Sequence, residues 1–123
     1  SWVGSSKQDS ITATGGDGPV FLRGNVELTI GPATISADEV EIRKTPSEAL
    51  LRGTITIQPL PLPTVKANTM ERTGEGFVRY RGKVAISLGA TGVTIFADEA
   101  DATAQNRLTL RGNVVLKKGT PKT

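Results

Sequence analysis

The sequence predicts an all-β fold made of two facing sheets or of one partly rolled sheet. Three observations support this prediction. Two short motifs recur with a period of 29 or 30 residues, the runs between them alternate apolar and polar side chains, and turn-forming residues separate the runs. No run has the apolar period of a helix. We therefore expect eight or more antiparallel strands, with two in each repeat of about 30 residues.

The repeat is defined by two motifs. The first is Arg-Gly followed by a polar residue and then by Val or Ile, and it occupies residues 23–26, 52–55, 81–84 and 111–114. The second is Ala-Asp-Glu at 37–39 and 97–99, which becomes Ala-Asn-Thr at 67–69. Two independent motifs that keep one period indicate an internal repeat. Units that each have one apolar face bury it by stacking on their neighbours.

The run around each Arg-Gly motif is predicted to be a half-buried strand. Successive side chains of a strand point to opposite faces. In residues 20–30 one face holds Val, Leu, Gly and Ile, and the other holds mainly polar residues. The same alternation recurs in 51–57, 78–88 and 108–116. The glycine of each motif falls on the apolar face, where it could kink the strand or let another sheet or a ligand come close.

The run around each Ala-Asp-Glu motif predicts a β-bulge. Ile35 and Ala37 share one parity, whereas Val40 needs the other parity to reach the same face, so the strand must slip near Asp38. The acidic pair could instead hold calcium or form a carboxylate dyad. Adjacent strand residues do not converge, however, and calcium needs about six to eight oxygens. We therefore favour a bend over a site.

The chain is predicted to contain one domain at residues 9–119, with a flexible N-terminal tail at 1–8 and a second tail at 120–123. Residues 9–14 could add a first short strand. The segment "QPLPLP" at 58–63 is predicted to be a loop or an edge excursion, because its prolines remove hydrogen-bond donors.

The composition excludes several kinds of chemistry. The chain has no cysteine and no histidine, so disulfides, thiol catalysis, zinc–thiolate sites and serine–histidine triads are absent. We expect no enzyme activity, no cofactor and no metal. A net charge of +3 with few aromatic residues predicts no nucleic-acid partner. No apolar run reaches the about 18 residues of a transmembrane segment. The chain lacks a first methionine, which predicts a processed or trimmed chain from which a signal or anchor could have been removed.

Residues 20–117 resemble the OstA-like family, which includes LptA, LptC and the periplasmic domain of LptD. The strongest match lies at 24–42, and a second copy begins at residue 112. The matching positions are Gly24-Asn25-Val26-Glu27-Leu28, Gly31, Ile35, Ala37-Asp38-Glu39-Val40, Ile42 and Gly112-Asn113-Val114.

The resemblance implies a twisted, open β-jellyroll located in the Gram-negative periplasm. It implies a non-enzymatic lipid-binding and bridging module that carries lipopolysaccharide or a related glycolipid toward the outer membrane. Other OstA-like domains would associate head to tail through edge strands. The lipid A acyl chains would lie in an aliphatic groove formed by the inward rows: Val26, Leu28, Ile30, Ile35, Val40, Ile55, Ile57, Val84, Ile86, Leu88, Val93, Ile95, Val114 and Leu116.

Two interpretations stay open. The same rows could form a completely filled core, in which case the protein would be a structural β-repeat scaffold that self-assembles or docks proteins through strand edges without lipid. The repeated arginines could pair with acids such as Glu27 or Glu48, or they could contact phosphate groups. These arginines are Arg23, Arg52, Arg81 and Arg111.

Overall fold

A computed structural model describes residues 2–58, 63–74, 76–103 and 106–119. It confirms an all-β fold of antiparallel strands with a jellyroll-like arrangement. One short 3₁₀ turn lies at Gly89–Thr91. The strands are β1 Ser5–Lys7, β2 Ser10–Ala13, β3 Val20–Ile30, β4 Ala33–Lys44, β5 Ser47–Arg52, β6 Ile55–Gln58, β7 Thr64–Lys66, β8 Thr69–Gly74, β9 Phe77–Ser87, β10 Val93–Ala102, β11 Leu108–Arg111 and β12 Val114–Lys118.

These strands make up eight long runs, which matches the prediction of two per repeat. β1 and β2 both pair with β3, β5 and β6 with β4, β7 and β8 with β9, and β11 and β12 with β10. Each of these pairs is one run interrupted at a corner. The runs are ordered β1/β2, β3, β4, β5/β6, β11/β12, β10, β9, β7/β8. The count of strands exceeds eight because the corners break four runs.

The corners divide the runs between two facing layers. The first layer contains β2, β5, β7 and β12 with residues 20–23, 39–44, 83–87 and 93–96. The second contains β1, β6, β8 and β11 with residues 26–30, 33–37, 77–81 and 99–102. The inward side chains of both layers form one buried aliphatic cluster. Alternation places them there because every second side chain of a strand faces the opposite layer.

A local two-fold axis relates the two halves of the chain, residues 5–58 and 64–118. β5 pairs Leu51 with Val114, and β6 pairs Ile55 with Leu110. A shift of 59 residues takes 51 to 110 and 55 to 114. The two pairs are therefore equivalent, with the roles of the two halves exchanged. The axis passes between the strand breaks at Gly53 and Gly112, and it follows from the internal repeat.

The two layers are offset along the sheet. Trp2, beside β1 in the second layer, donates its Nε1–H to Ser47 Oγ of the first layer at 2.9 Å. The turn at Gly31 similarly lies against Thr91 of the opposite layer. The offset leaves one layer uncovered at each end. The inward side chain of Ile11 on β2 is therefore 60% exposed, and its symmetry counterpart Met70 on β8 is 68% exposed.

The N-terminal segment differs from the predicted tail. Residues 5–7 form β1, with Ser5 opposite Thr29 and Lys7 opposite Glu27. The edge of β3 at residues 26–30 has unpaired backbone groups that this segment covers. Its short polar sequence carries no alternation that would have revealed a strand. β2 agrees with the short strand expected within residues 9–14.

Other expectations fall partly outside the described residues. Gln58 ends β6 and Pro63 precedes β7, so most of the predicted "QPLPLP" loop lies outside them. The predicted tail at 120–123 lies outside them too. Across the described ranges, no helix has the length and apolarity needed to cross a membrane.

Candidate functional site

The two repeated motifs meet at three of the four corners, and Asp9, which lies outside the second motif, takes the same place at the fourth. Asp38 of the second motif lies against Gly53 of the first, and the backbone N–H of Thr54 donates to Asp38 Oδ2 at 2.9 Å. The corresponding contacts in the other repeats are Asp9 with Gly24, Asn68 with Gly82, and Asp98 with Gly112. Each repeat therefore places an Asp or Asn side chain on the glycine at its bend, and the two motifs are parts of one structural device.

A register shift is present where the sequence predicts a β-bulge, but the extra residue lies on the partner strand β3 and not on β4. Ala37 and Val40 are three positions apart and both are buried, as the parity slip requires. The register between β3 and β4 shifts at this point, so that Gly24 and Asn25 together oppose Asp38. The acidic residue thus acts in the bend.

The four repeated arginines all have carboxylate partners on neighbouring strands. Their closest contacts are Arg23 with Glu39 at 3.7 Å, Arg52 with Glu41 at 3.2 Å, Arg81 with Glu71 at 3.4 Å, and Arg111 with Asp101 at 2.9 Å. The partners suggested from sequence differ, since Glu48 instead pairs with Arg43 at 3.5 Å. Cross-strand ion pairing accounts for the arginine column without a phosphate ligand.

Two carboxylates are held between pairs of arginines. Hydrogen bonds from Arg79 and then Arg111 lower the pKa of Asp101 to about 2. Glu41 is buried, and its hydrogen bond with Arg43, followed by that with Arg52, lowers its pKa below the ordinary value. In both places the carboxylate stays ionised because it accepts charge-assisted hydrogen bonds.

Asp101 should make stability depend on pH in the acid range. A carboxylate whose folded pKa is lowered stabilises the fold above its unfolded pKa of about 3.9, and this contribution is lost as pH falls toward 2. We expect Asp101→Asn to lower the free energy of unfolding at pH 6 by about 1–2 kcal/mol. This is less than the full pKa shift would give, because solvent screens the partly exposed arginines. Urea unfolding from pH 6 to pH 2 measures this. The gap between wild type and variant should shrink as the pH falls, and a constant gap would contradict the assignment.

All fourteen residues predicted to line a lipid groove lie in the buried cluster. The most exposed of them, Leu88, exposes 8% of its surface, and seven expose none: Leu28, Ile35, Ile57, Val84, Ile86, Ile95 and Leu116. In this structure their neighbours are protein side chains. A lipid tail would reach the rows only if the two layers moved apart.

The apolar interior reaches the surface at the end of the roll formed by β7, β8 and β9, which we call the second end. A cavity of about 170 Å³ lies there between the two layers. Val65 forms its wall from the first layer, and Tyr80 and Leu108 form its wall from the second. The full lining is Pro63, Val65, Tyr80, Ala102, Thr103, Asn106, Arg107 and Leu108. Sequence alternation is enough to place Tyr80 on the inward face. Its position at an opening depends on the offset of the layers, which is a tertiary property that alternation does not report.

The comparisons with known proteins leave family membership as a prediction. The jellyroll-like fold rests on the strand pairing described above. No protein-family model matches this chain, and no curated protein matches it significantly.

Proposed function

We propose that this protein is a non-enzymatic lipid-binding and bridging module. Its ligand would be lipopolysaccharide or a related glycolipid, and its location the Gram-negative periplasm, as the resemblance to the OstA-like family implies. The observation that carries the proposal is the aliphatic interior that opens at the second end, where a cavity of about 170 Å³ lies between the layers.

The chemistry of this opening suits a hydrocarbon chain. Val65, Tyr80 and Ala102 are partly buried and pack against the cluster behind them. Each methylene that leaves water for such a surface contributes about 0.8 kcal/mol. A short length of acyl chain could bind there without specific polar contacts. Deeper binding along the rows would require the layers to separate.

Both edges of the sheet suit head-to-tail association with a second copy or a similar domain. The β1/β2 edge and the β7/β8 edge end the strand order. Because the number of runs is even, the first edge of one copy would lie antiparallel to the last edge of the next. The uncovered inward faces are complementary as well. Ile11 belongs to the first layer and Met70 to the second, so the uncovered second layer of one copy could cover the uncovered first layer of the next. Stacking would bury both of these exposed side chains.

The filled interior favours a second candidate function. A scaffold that assembles through strand edges needs a packed core and no ligand. The near-complete burial of the fourteen inward residues suits that role. The two candidates share the edges and differ in whether lipid is bound.

Native mass spectrometry after gentle purification from a Gram-negative host tests both candidates. The lipid-binding module should retain lipid-sized masses, and its oligomers should increase with protein concentration. Lipid-free oligomers would favour the scaffold, and lipid-free monomers at all concentrations would contradict both. Met70→Asp should reduce oligomers, whereas Phe96→Asp, at an exposed site on the outer face of β10, is the matched control.

A further inference from the structure

Two of the eight arginines stand apart from the ion-pair pattern. Six form ion pairs with carboxylates on the outer faces of the layers. Within the described ranges, Arg72 and Arg107 take part in no ion pair. An unpaired guanidinium is common at a surface, so its position relative to the apolar interior decides whether it has a role.

Both unpaired arginines border the second end. Arg107 lines the cavity. Arg72 lies opposite Val78, and Val78 lies opposite Ala102, so Arg72 is on the inward face of the uncovered layer. Ala102 in turn lies opposite Leu108, the neighbour of Arg107. Three strand spacings therefore separate the two arginines, which places their backbones roughly 14 Å apart.

The positive charge at this end does not follow from the internal repeat. At the opposite end of the roll, formed by β1, β2 and β3 and called the first end, the symmetry counterparts of Arg72 and Arg107 are Ala13 and Glu48. Glu48 is ion-paired with Arg43. The second end thus combines an open apolar cavity with two cations that have no ion-pair partner among the described residues, whereas the counterpart positions at the first end carry no positive charge.

We propose that the second end selects lipids whose head carries a negative charge. This inference rests on the proposed function and adds the class of headgroup. The hydrocarbon chain would enter between Val65 and Tyr80, and the head would stay at the rim between Arg72 and Arg107. A guanidinium beside an apolar surface binds a carboxylate or phosphate through charge-assisted hydrogen bonds.

Binding of three probes that share one chain length tests the inference. Dodecyl phosphate, dodecanoate and dodecanol are titrated calorimetrically into the purified protein below their micelle concentrations. We expect both anionic probes to bind at least about tenfold more tightly than dodecanol. Arg72→Gln and Arg107→Gln should each weaken the anionic probes by roughly tenfold and leave dodecanol unchanged. Lys7→Gln, which removes one exposed charge at the first end, is the control.

The outcomes separate this inference from the proposed function. Equal binding of dodecanol and the anionic probes would overturn the headgroup selection and leave tail binding intact. Binding of inorganic phosphate as tight as that of dodecyl phosphate would indicate a free anion site and would also overturn it. Failure of all three lipids to bind would contradict the proposed function itself.

Discussion

Replacing Gly53 with alanine is expected to lower the free energy of unfolding by about 3 kcal/mol. The residue has φ of +91°, a region that costs other residues about 1–2 kcal/mol, and an added Cβ would overlap the Asp38 carboxylate. Gly89→Ala is the matched control, because Gly89 has φ of +59° but open space within 4 Å of an added Cβ. That variant should lose only about 1 kcal/mol. Urea unfolding monitored by circular dichroism measures both.

A double variant isolates the contact between the two motifs. Asp38→Ala removes the overlapping carboxylate but also the hydrogen bond to the Thr54 N–H, so alone it should cost about 1 kcal/mol. Combined with Gly53→Ala, it should cost less than the sum of the two single changes, since the overlap with the carboxylate no longer exists and only that with the Cβ atom of residue 38 remains. Additive effects, or equal losses at Gly53 and Gly89, would contradict the packing of Asp38 on Gly53.

The corner at Gly53 shows which structural features local sequence patterns can predict. The parity slip beside Asp38 and the inward glycine are both visible in the sequence, because each breaks a local alternation. Their contact is not visible, since the two motifs lie 15 residues apart and meet only when the strands pair. The sequence therefore predicts the bend but leaves the acidic residue open to other interpretations.

The offset of the layers lies beyond local patterns. Ile11 and Met70 have the same inward parity as the buried rows, yet both are largely exposed. Alternation reports which face a side chain occupies, and it cannot report whether another layer covers that face. For the same reason the sequence gives no sign that Arg72 and Arg107 border an opening, because neither belongs to the repeated arginine column.

Truncation of Ile35 and Ile95 should be severely destabilising in the lipid-free protein. Both side chains are completely buried, and they occupy corresponding positions in the two halves. Ile→Ala at such a site leaves a cavity and costs about 3–4 kcal/mol. Ile11→Ala and Met70→Ala are the controls, since these side chains face inward but are exposed, and each should cost less than about 1 kcal/mol. Urea unfolding of lipid-stripped protein gives the four values.

The loss of unfolding free energy on truncation indicates whether a lipid tail could reach the inward rows without displacing protein contacts. If Ile35 and Ile95 are packed against the opposite layer, their truncation removes protein contacts, and a tail that reaches them must first replace those contacts. Losses below about 1 kcal/mol at both sites would instead indicate an interior that is open without ligand, contrary to the packed arrangement. Full losses, together with lipid binding at the second end, would place the initial tail contact at the cavity and make separation of the layers the energetic barrier to deeper entry.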